Sequence, residues 1–172
     1  MDTNSNSKND TGILLIGHGS RLPYNKEVVQ AIAQKYSQTK PEYNIEVGFM
    51  ELAEPNIPTA FNKLKESGVK RVIVTPVFLA HGLHTKRDIP NILGLKPAEE
   101  VAQYTKGHGH HHHHHGHGHE EEHGHHHGHG HHHHHGEEEK VEFDGEIIYT
   151  EPIGADDAIV EIIANRVNPH LE

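Results

Sequence analysis

Residues 12–20 read Gly-Ile-Leu-Leu-Ile-Gly-His-Gly-Ser, four consecutive aliphatic residues running into a glycine-flanked histidine. An apolar run of this length suits a strand buried on both faces, and Gly17-His18-Gly19-Ser20 reads as a loop at its carboxyl end. From Asn25 onward Val28, Val29, Ile32, Ala33 and Tyr36 recur at helical spacing until Pro41 closes the segment. A second strand is expected over residues 45–50 and a two-proline loop over 51–58. Ile57, Ala60, Phe61 and Leu64 then mark a helix that stops at Gly68.

Residues 71–77, RVIVTPV, form a third strand whose exit runs from Phe78 through Leu79, Ala80, His81, Gly82 and Leu83 to His84. A short helix is expected around 88–93, a fourth strand over 146–149, and a final helix carrying Ala158, Ile159, Ile162, Ile163 and Val167. Strands alternating with helices imply βαβ units. The expectation is therefore an α/β fold, flavodoxin-like, with a parallel four-stranded sheet and helices on both faces. With strand order 2-1-3-4, the first and third strands are neighbours, and the gap between their carboxyl ends is where such sheets bind ligands. His18 ends one of these strands and His84 follows the other.

The 172 residues suffice for one domain, expected over 12–172 behind a disordered tail of residues 1–11. Cysteine is absent, so neither disulfides nor thiolate metal sites are available, and a transition metal must be held by imidazole or carboxylate. The polar N-terminus has no signal pattern and no apolar run approaches a membrane span. The chain reads as cytoplasmic, with no membrane partner. A net charge of −10 argues against nucleic acid, which needs a basic surface.

Nineteen of the 23 histidines lie between His108 and His135, interleaved with glycine and with Glu120, Glu121 and Glu122. Such a segment cannot build a core and is costly to order, so residues 107–140 are expected to be a histidine-rich disordered insertion when no metal is bound. It offers a store or delivery device for Ni²⁺ or Co²⁺, or simply a tolerated insertion with incidental affinity.

A lone histidine after a strand is more often structural than functional. Two arriving from separate strands at one crevice, one of them between glycines that permit close approach of a ligand, form a candidate site. Neither GxGxxG nor the P-loop lysine is present, which speaks against a nucleotide. In phosphohistidine enzymes an arginine typically precedes the histidine; here Gly17 takes that place.

The segments LLIGHGSRLPYNKE (14–27), MELAEPNIP (50–58), VTPVFLAHGLHTKRDIPNILGL (74–95) and YTEPIGADD (149–157) together resemble the short-form archaeal sirohydrochlorin chelatases, type II enzymes that insert cobalt or nickel. The resemblance runs from Gly12 to about Val167, broken by the histidine tract. It implies a chelatase-like fold and a metal-inserting lyase acting for cobalamin or, in methanogenesis, for coenzyme F430. It further implies a homodimer with a shared active site and no prosthetic group, Ni²⁺ or Co²⁺ being a substrate. His18 and His84 would bind the metal, with His18 also the proton acceptor. Glu54, Leu79, Ala80, His81, Gly82, Leu83 and His84 would contact the tetrapyrrole. Sirohydrochlorin is a polycarboxylate, and Arg21, Lys86 and Arg87 flank the two motifs as cations that would help orient it. A storage protein that uses only the tract is the competing reading.

Overall fold

A computed structural model of the protein describes residues 10–105 and 139–171. Residues 1–9 and 106–138, which hold most of the expected tail and nearly all of the histidine-rich insertion, lie outside the described residues, while Thr11, expected in the tail, is buried as the first residue of β1. Strands β1 (Thr11–Gly17), β2 (Asn44–Phe49), β3 (Arg71–Pro76) and β4 (Glu146–Tyr149) form one parallel sheet in the order β2-β1-β3-β4. This is the expected order. All seven residues of β1 are buried, as its unbroken apolar run requires of a central strand.

The register aligns Ile45, Ile13, Ile73 and Ile148 in one row across the four strands, and Leu14, Val74 and Tyr149 in the next. Because side chains alternate along a strand, the two rows face opposite sides of the sheet. On the side of Leu14 lies the main core, where helix α2 (Ile57–Glu66) packs Ile57, Ala60, Phe61 and Leu64 against Leu14, Ile16, Val72 and Val74. These four helix residues follow an i, i+3, i+4, i+7 pattern, and the Asn56 side chain caps the helix by accepting from the Thr59 amide at 2.8 Å. Phe143 closes this layer with an edge-on contact to Phe61, ring centroids 5.2 Å apart.

On the other side lies helix α1 (Tyr24–Thr39), whose Ala33 packs against Ile13 and Leu15, with Ile45 and Val47 alongside. Of the five apolar residues that predicted this helix only Val29 and Ala33 are buried. Val28, Ile32 and Tyr36 remain exposed. The segment after β3 departs further from expectation. Residues His84–Asp88 wind as a π-helical turn, continue into a short helix α3 (Ile89–Ile92), and are followed by helix α4 (Val101–Thr105), which the sequence pattern did not reveal. The final helix α5 (Asp157–Val167) forms where expected, but none of its residues is buried.

Candidate metal centre

Three side chains converge beyond the carboxyl ends of β1, β2 and β3. His18, Glu51 and His84 each offer one ligand atom, and the three atoms lie within 4.8 Å of one another. The His18 and His84 rings meet edge-on at a centroid distance of 5.0 Å, and Phe78 lies against His18 at 5.8 Å. Both expected histidines are therefore in one place, with a carboxylate that sequence reasoning had passed over.

Backbone geometry explains how Glu51 arrives there. The ladder between β1 and β2 continues past both strands, with the Met50 amide donating to Gly17 O at 3.0 Å and the Glu51 amide to His18 O at 3.3 Å. Gly19 has φ +85, and a Cβ there would stand 1.7 Å from the Glu51 carbonyl oxygen, so only glycine permits the two loops to lie in contact. The Gly19 amide is held in turn by the Asn25 side chain at 2.9 Å, which ties the loop to the first turn of α1. Leu52, next to Glu51, is held at φ 57, the left-handed region that costs a branched residue about 1 kcal/mol.

The hydrogen-bond partners assign the imidazole tautomers. His18 Nδ1 lies 3.0 Å from the Gly19 carbonyl oxygen and His84 Nδ1 lies 2.8 Å from Asp88 Oδ2. A carbonyl or carboxylate oxygen only accepts, so in both rings Nδ1 carries a proton and Nε2 is the nitrogen left to bind an ion. Two imidazoles and one carboxylate are thus presented together. Asp88 also accepts from Arg87 Nε at 2.7 Å. Burial works against its charge, but the hydrogen bonds from Arg87 and His84 outweigh that and hold its carboxyl below the usual value near 3.8. A set of two imidazoles and a carboxylate, with no thiolate, suits a late first-row divalent ion. His18 and Glu51 are exposed and His84 half-buried, so an ion could arrive from solvent and leave again.

His81 does not join this group. Its ring spans Thr85 Oγ1, at 3.0 Å from Nδ1, and the Glu151 carboxylate beyond β4, which contacts Nε2. The hydrogen bond from His81 holds the Glu151 carboxyl below its ordinary value. Thr85 is buried and fastens the whole loop. Its hydroxyl donates to Gly82 O and accepts from the Gly82 amide, while its own carbonyl accepts from the Tyr149 hydroxyl at 2.7 Å. Burial, aided by the Glu151 charge, pushes the Tyr149 hydroxyl well above its ordinary value, so it remains a donor.

The remaining predicted positions are surface residues around the cluster. Leu79, Ala80, Gly82 and Leu83 are exposed on the loop after β3, Leu79 at 63% and Leu83 at 47%. Glu54 is exposed on the β2–α2 loop, three residues beyond the carboxylate that does join the cluster. Of the cations, Lys86 pairs with Glu100 at 3.1 Å and Arg87 with Asp88, while Arg21 is exposed. Beside the cluster a cavity of about 250 Å³ is lined by Met50, Glu51, Asn56, His84, Asp88 and Glu139, among others. That is smaller than the roughly 300–1,000 Å³ of ordinary small-ligand pockets, too small for a tetrapyrrole. Among the described residues no helix is long and apolar enough to cross a membrane.

A CbiX family profile matches residues 12–170. The chain is 53% identical over 167 residues to a sirohydrochlorin cobaltochelatase of Methanothermobacter thermautotrophicus, covering 97% of each chain. It is also 53% identical over 154 residues to one of Methanocaldococcus jannaschii, covering 90% of this chain and 95% of that one. Among solved structures it resembles the sirohydrochlorin chelatase SirB of Bacillus subtilis in complex with cobalt, with a TM-score of 0.58 and 23% identity. That match covers 94% of this chain but 51% of SirB, so the chain spans about half the length of the SirB protein.

Proposed function

This chain belongs to the CbiX family, and from that premise we propose that it is a chelatase that inserts Co²⁺ into sirohydrochlorin, with release of two protons from the macrocycle. The observation that carries this reading is the convergence of His18, Glu51 and His84 into one exposed donor set. The relatives' names supply the substrate and the ion.

The chemistry asks two things of these residues. They must hold a divalent ion loosely enough to surrender it, and they must accept protons as it leaves. Three protein donors in the open do the first, since a closed four-ligand site would retain the ion. For the second, each imidazole that releases the ion regains a free nitrogen lone pair, so ion and proton can be exchanged at the same atom. His18 is assigned as the proton acceptor. Glu54, His81 and the Leu79–His84 loop are assigned to the macrocycle, whose carboxylates also suit the exposed Arg21.

Ni²⁺ for coenzyme F430 is proposed as a second cargo beside Co²⁺ for cobalamin, because imidazole and carboxylate donors do not distinguish the two ions. A homodimer with a shared site is supported by the small cavity beside the cluster and by the chain's length, half that of SirB. For the histidine tract we propose storage and supply of the ion. Glu139, just beyond it, lines the same cavity as Glu51 and His84. The tract's nineteen imidazoles also favour a second reading, in which metal storage is the whole function.

Absorbance of sirohydrochlorin with Co²⁺ or Ni²⁺ separates the two. The chelatase reading expects insertion by the intact protein and by a deletion of residues 107–138 at saturating metal, and loss of insertion in His18→Ala and His84→Ala. Insertion that survives both alanine variants and disappears with the deletion would leave only the storage reading.

A further inference from the structure

We propose that Glu151 stands in for a carboxylate of the substrate: it occupies the ring of His81 in the free protein and gives up that place to a carboxylate of the macrocycle on binding. This locates a carboxylate subsite within the chelatase reading and rests on that reading.

Both ring nitrogens of His81 are taken. Nδ1 lies 3.0 Å from Thr85 Oγ1, and Nε2 contacts the Glu151 carboxylate. A carboxylate only accepts, so Nε2 is the donor of that pair. For His81 to hydrogen-bond the macrocycle, one of these two partners must leave the ring.

The two partners are held very unequally. Thr85 is 1% exposed, and its hydroxyl is fixed on Gly82, accepting from the amide at 2.9 Å and donating to the carbonyl at 3.1 Å. The Glu151 side chain is 83% exposed, against 32% for that of His81. Water competes effectively for an ion pair in such a position, so the pair is weak. Thr85 therefore keeps the ring oriented, and Glu151 is the partner that exchanges.

The exchange requires no part of the fold to open. Before Glu151 the Thr150 amide donates to Val74 O at 2.9 Å and the Thr150 hydroxyl to Thr75 Oγ1 at 2.8 Å. After it the Ile153 amide donates to Phe78 O at 2.9 Å and the Gly154 amide to Leu79 O at 2.8 Å. The backbone is thus fastened on both sides to β3 and its exit, which leads directly into the His81 loop. Rotation about the side-chain bonds of Glu151 is enough to free the ring.

Leaving and entering groups are of one chemical class. The hydrogen bond from His81 holds the Glu151 carboxyl below its ordinary value, so the ring already carries an ionised carboxylate, the group that a polycarboxylate such as sirohydrochlorin brings. The Nε2 hydrogen bond lost to Glu151 is regained from the substrate, and the released side chain passes into water. Glu151 then competes with the substrate, and its removal strengthens binding. A residue that served only to orient His81 would weaken binding when removed, so the two roles have opposite signs.

Absorbance titration of sirohydrochlorin into the metal-free, full-length protein reads that sign. Glu151→Ala is expected to lower the Kd about two- to fivefold, the range of an exposed ion pair, with the KM for sirohydrochlorin in Co²⁺ insertion falling alongside. In a His81→Ala background the same substitution is expected to change nothing. A Kd that rises or stays level in Glu151→Ala overturns the exchange. An equal gain without His81 also overturns it, since the lost negative charge then acts by itself. Either result, with the intact protein still inserting Co²⁺, leaves the chelatase reading standing; an intact protein that does not bind sirohydrochlorin overturns both.

Discussion

Gly19 and Glu51 are in backbone contact: a single added carbon on Gly19 would lie 1.7 Å from the Glu51 carbonyl oxygen. Replacement by alanine must therefore push the His18 loop away from the Glu51 loop, on top of the cost of φ +85 for a residue with a side chain. Gly19→Ala is expected to weaken Co²⁺ binding at least tenfold, measured by titration of the tract-deleted protein, while circular dichroism still reports a folded sheet. Equal affinity in the variant would show that the two loops are not held together by this contact.

Asp88 fixes the ring of His84 and leaves its Nε2 to the ion. Carboxylate partners of ligating histidines affect metal affinity by about 10–100-fold. Asp88→Asn is expected to lower Co²⁺ affinity within that range, with the KM for metal rising more than kcat falls. Asp88→Glu should recover part of the loss.

The same carboxyl gives a pH signature. Because its folded pKa lies below the ordinary value near 3.8, its charged form stabilises the fold fully above that pH. The contribution is lost as the pH falls through the lower folded value. Denaturation midpoints measured from pH 6 to pH 2 should fall in acid, and the fall should be shallower in Asp88→Asn.

Tyr149 supports the centre from below, since its hydroxyl donates to the carbonyl of Thr85. Tyr149→Phe leaves that acceptor without its donor and should cost about 1–2 kcal/mol in urea denaturation. Metal affinity should change little, because His84 keeps Asp88.

His81 lies outside the ligand cluster and is occupied by Thr85 and Glu151. His81→Ala is expected to leave Co²⁺ affinity within twofold while raising the KM for sirohydrochlorin. A tenfold loss of metal affinity would return His81 to the ligand set.

Much of this arrangement was legible in the chain. The buried strand before His18 follows from an uninterrupted aliphatic run and the parallel sheet from the alternation of periods; the order β2-β1-β3-β4, assumed as the common one, then brings His18 and His84 to one edge. Glu51 was not legible. It is an acid in a loop with another acid, Glu54, three residues on, and no spacing distinguishes the two; only the continued hydrogen bonds from the Met50 and Glu51 amides to Gly17 and His18 select it. The π-helical turn at His84 escaped notice because its widened winding has no signature in apolar spacing. For α5 the periodicity was read correctly as a helix with an apolar face, but periodicity does not say whose surface that face covers.

If one ion at His18, Glu51 and His84 is the ion inserted, the loaded protein alone delivers it. Protein lacking residues 107–138 is loaded with one equivalent of Co²⁺, freed of excess metal and mixed with sirohydrochlorin in a single turnover followed by absorbance. Expected is nearly one equivalent of cobalt–sirohydrochlorin from this protein and none from the same deletion carrying His84→Ala. Equal yields from the two, or no product from the loaded protein until free Co²⁺ is added, would contradict it.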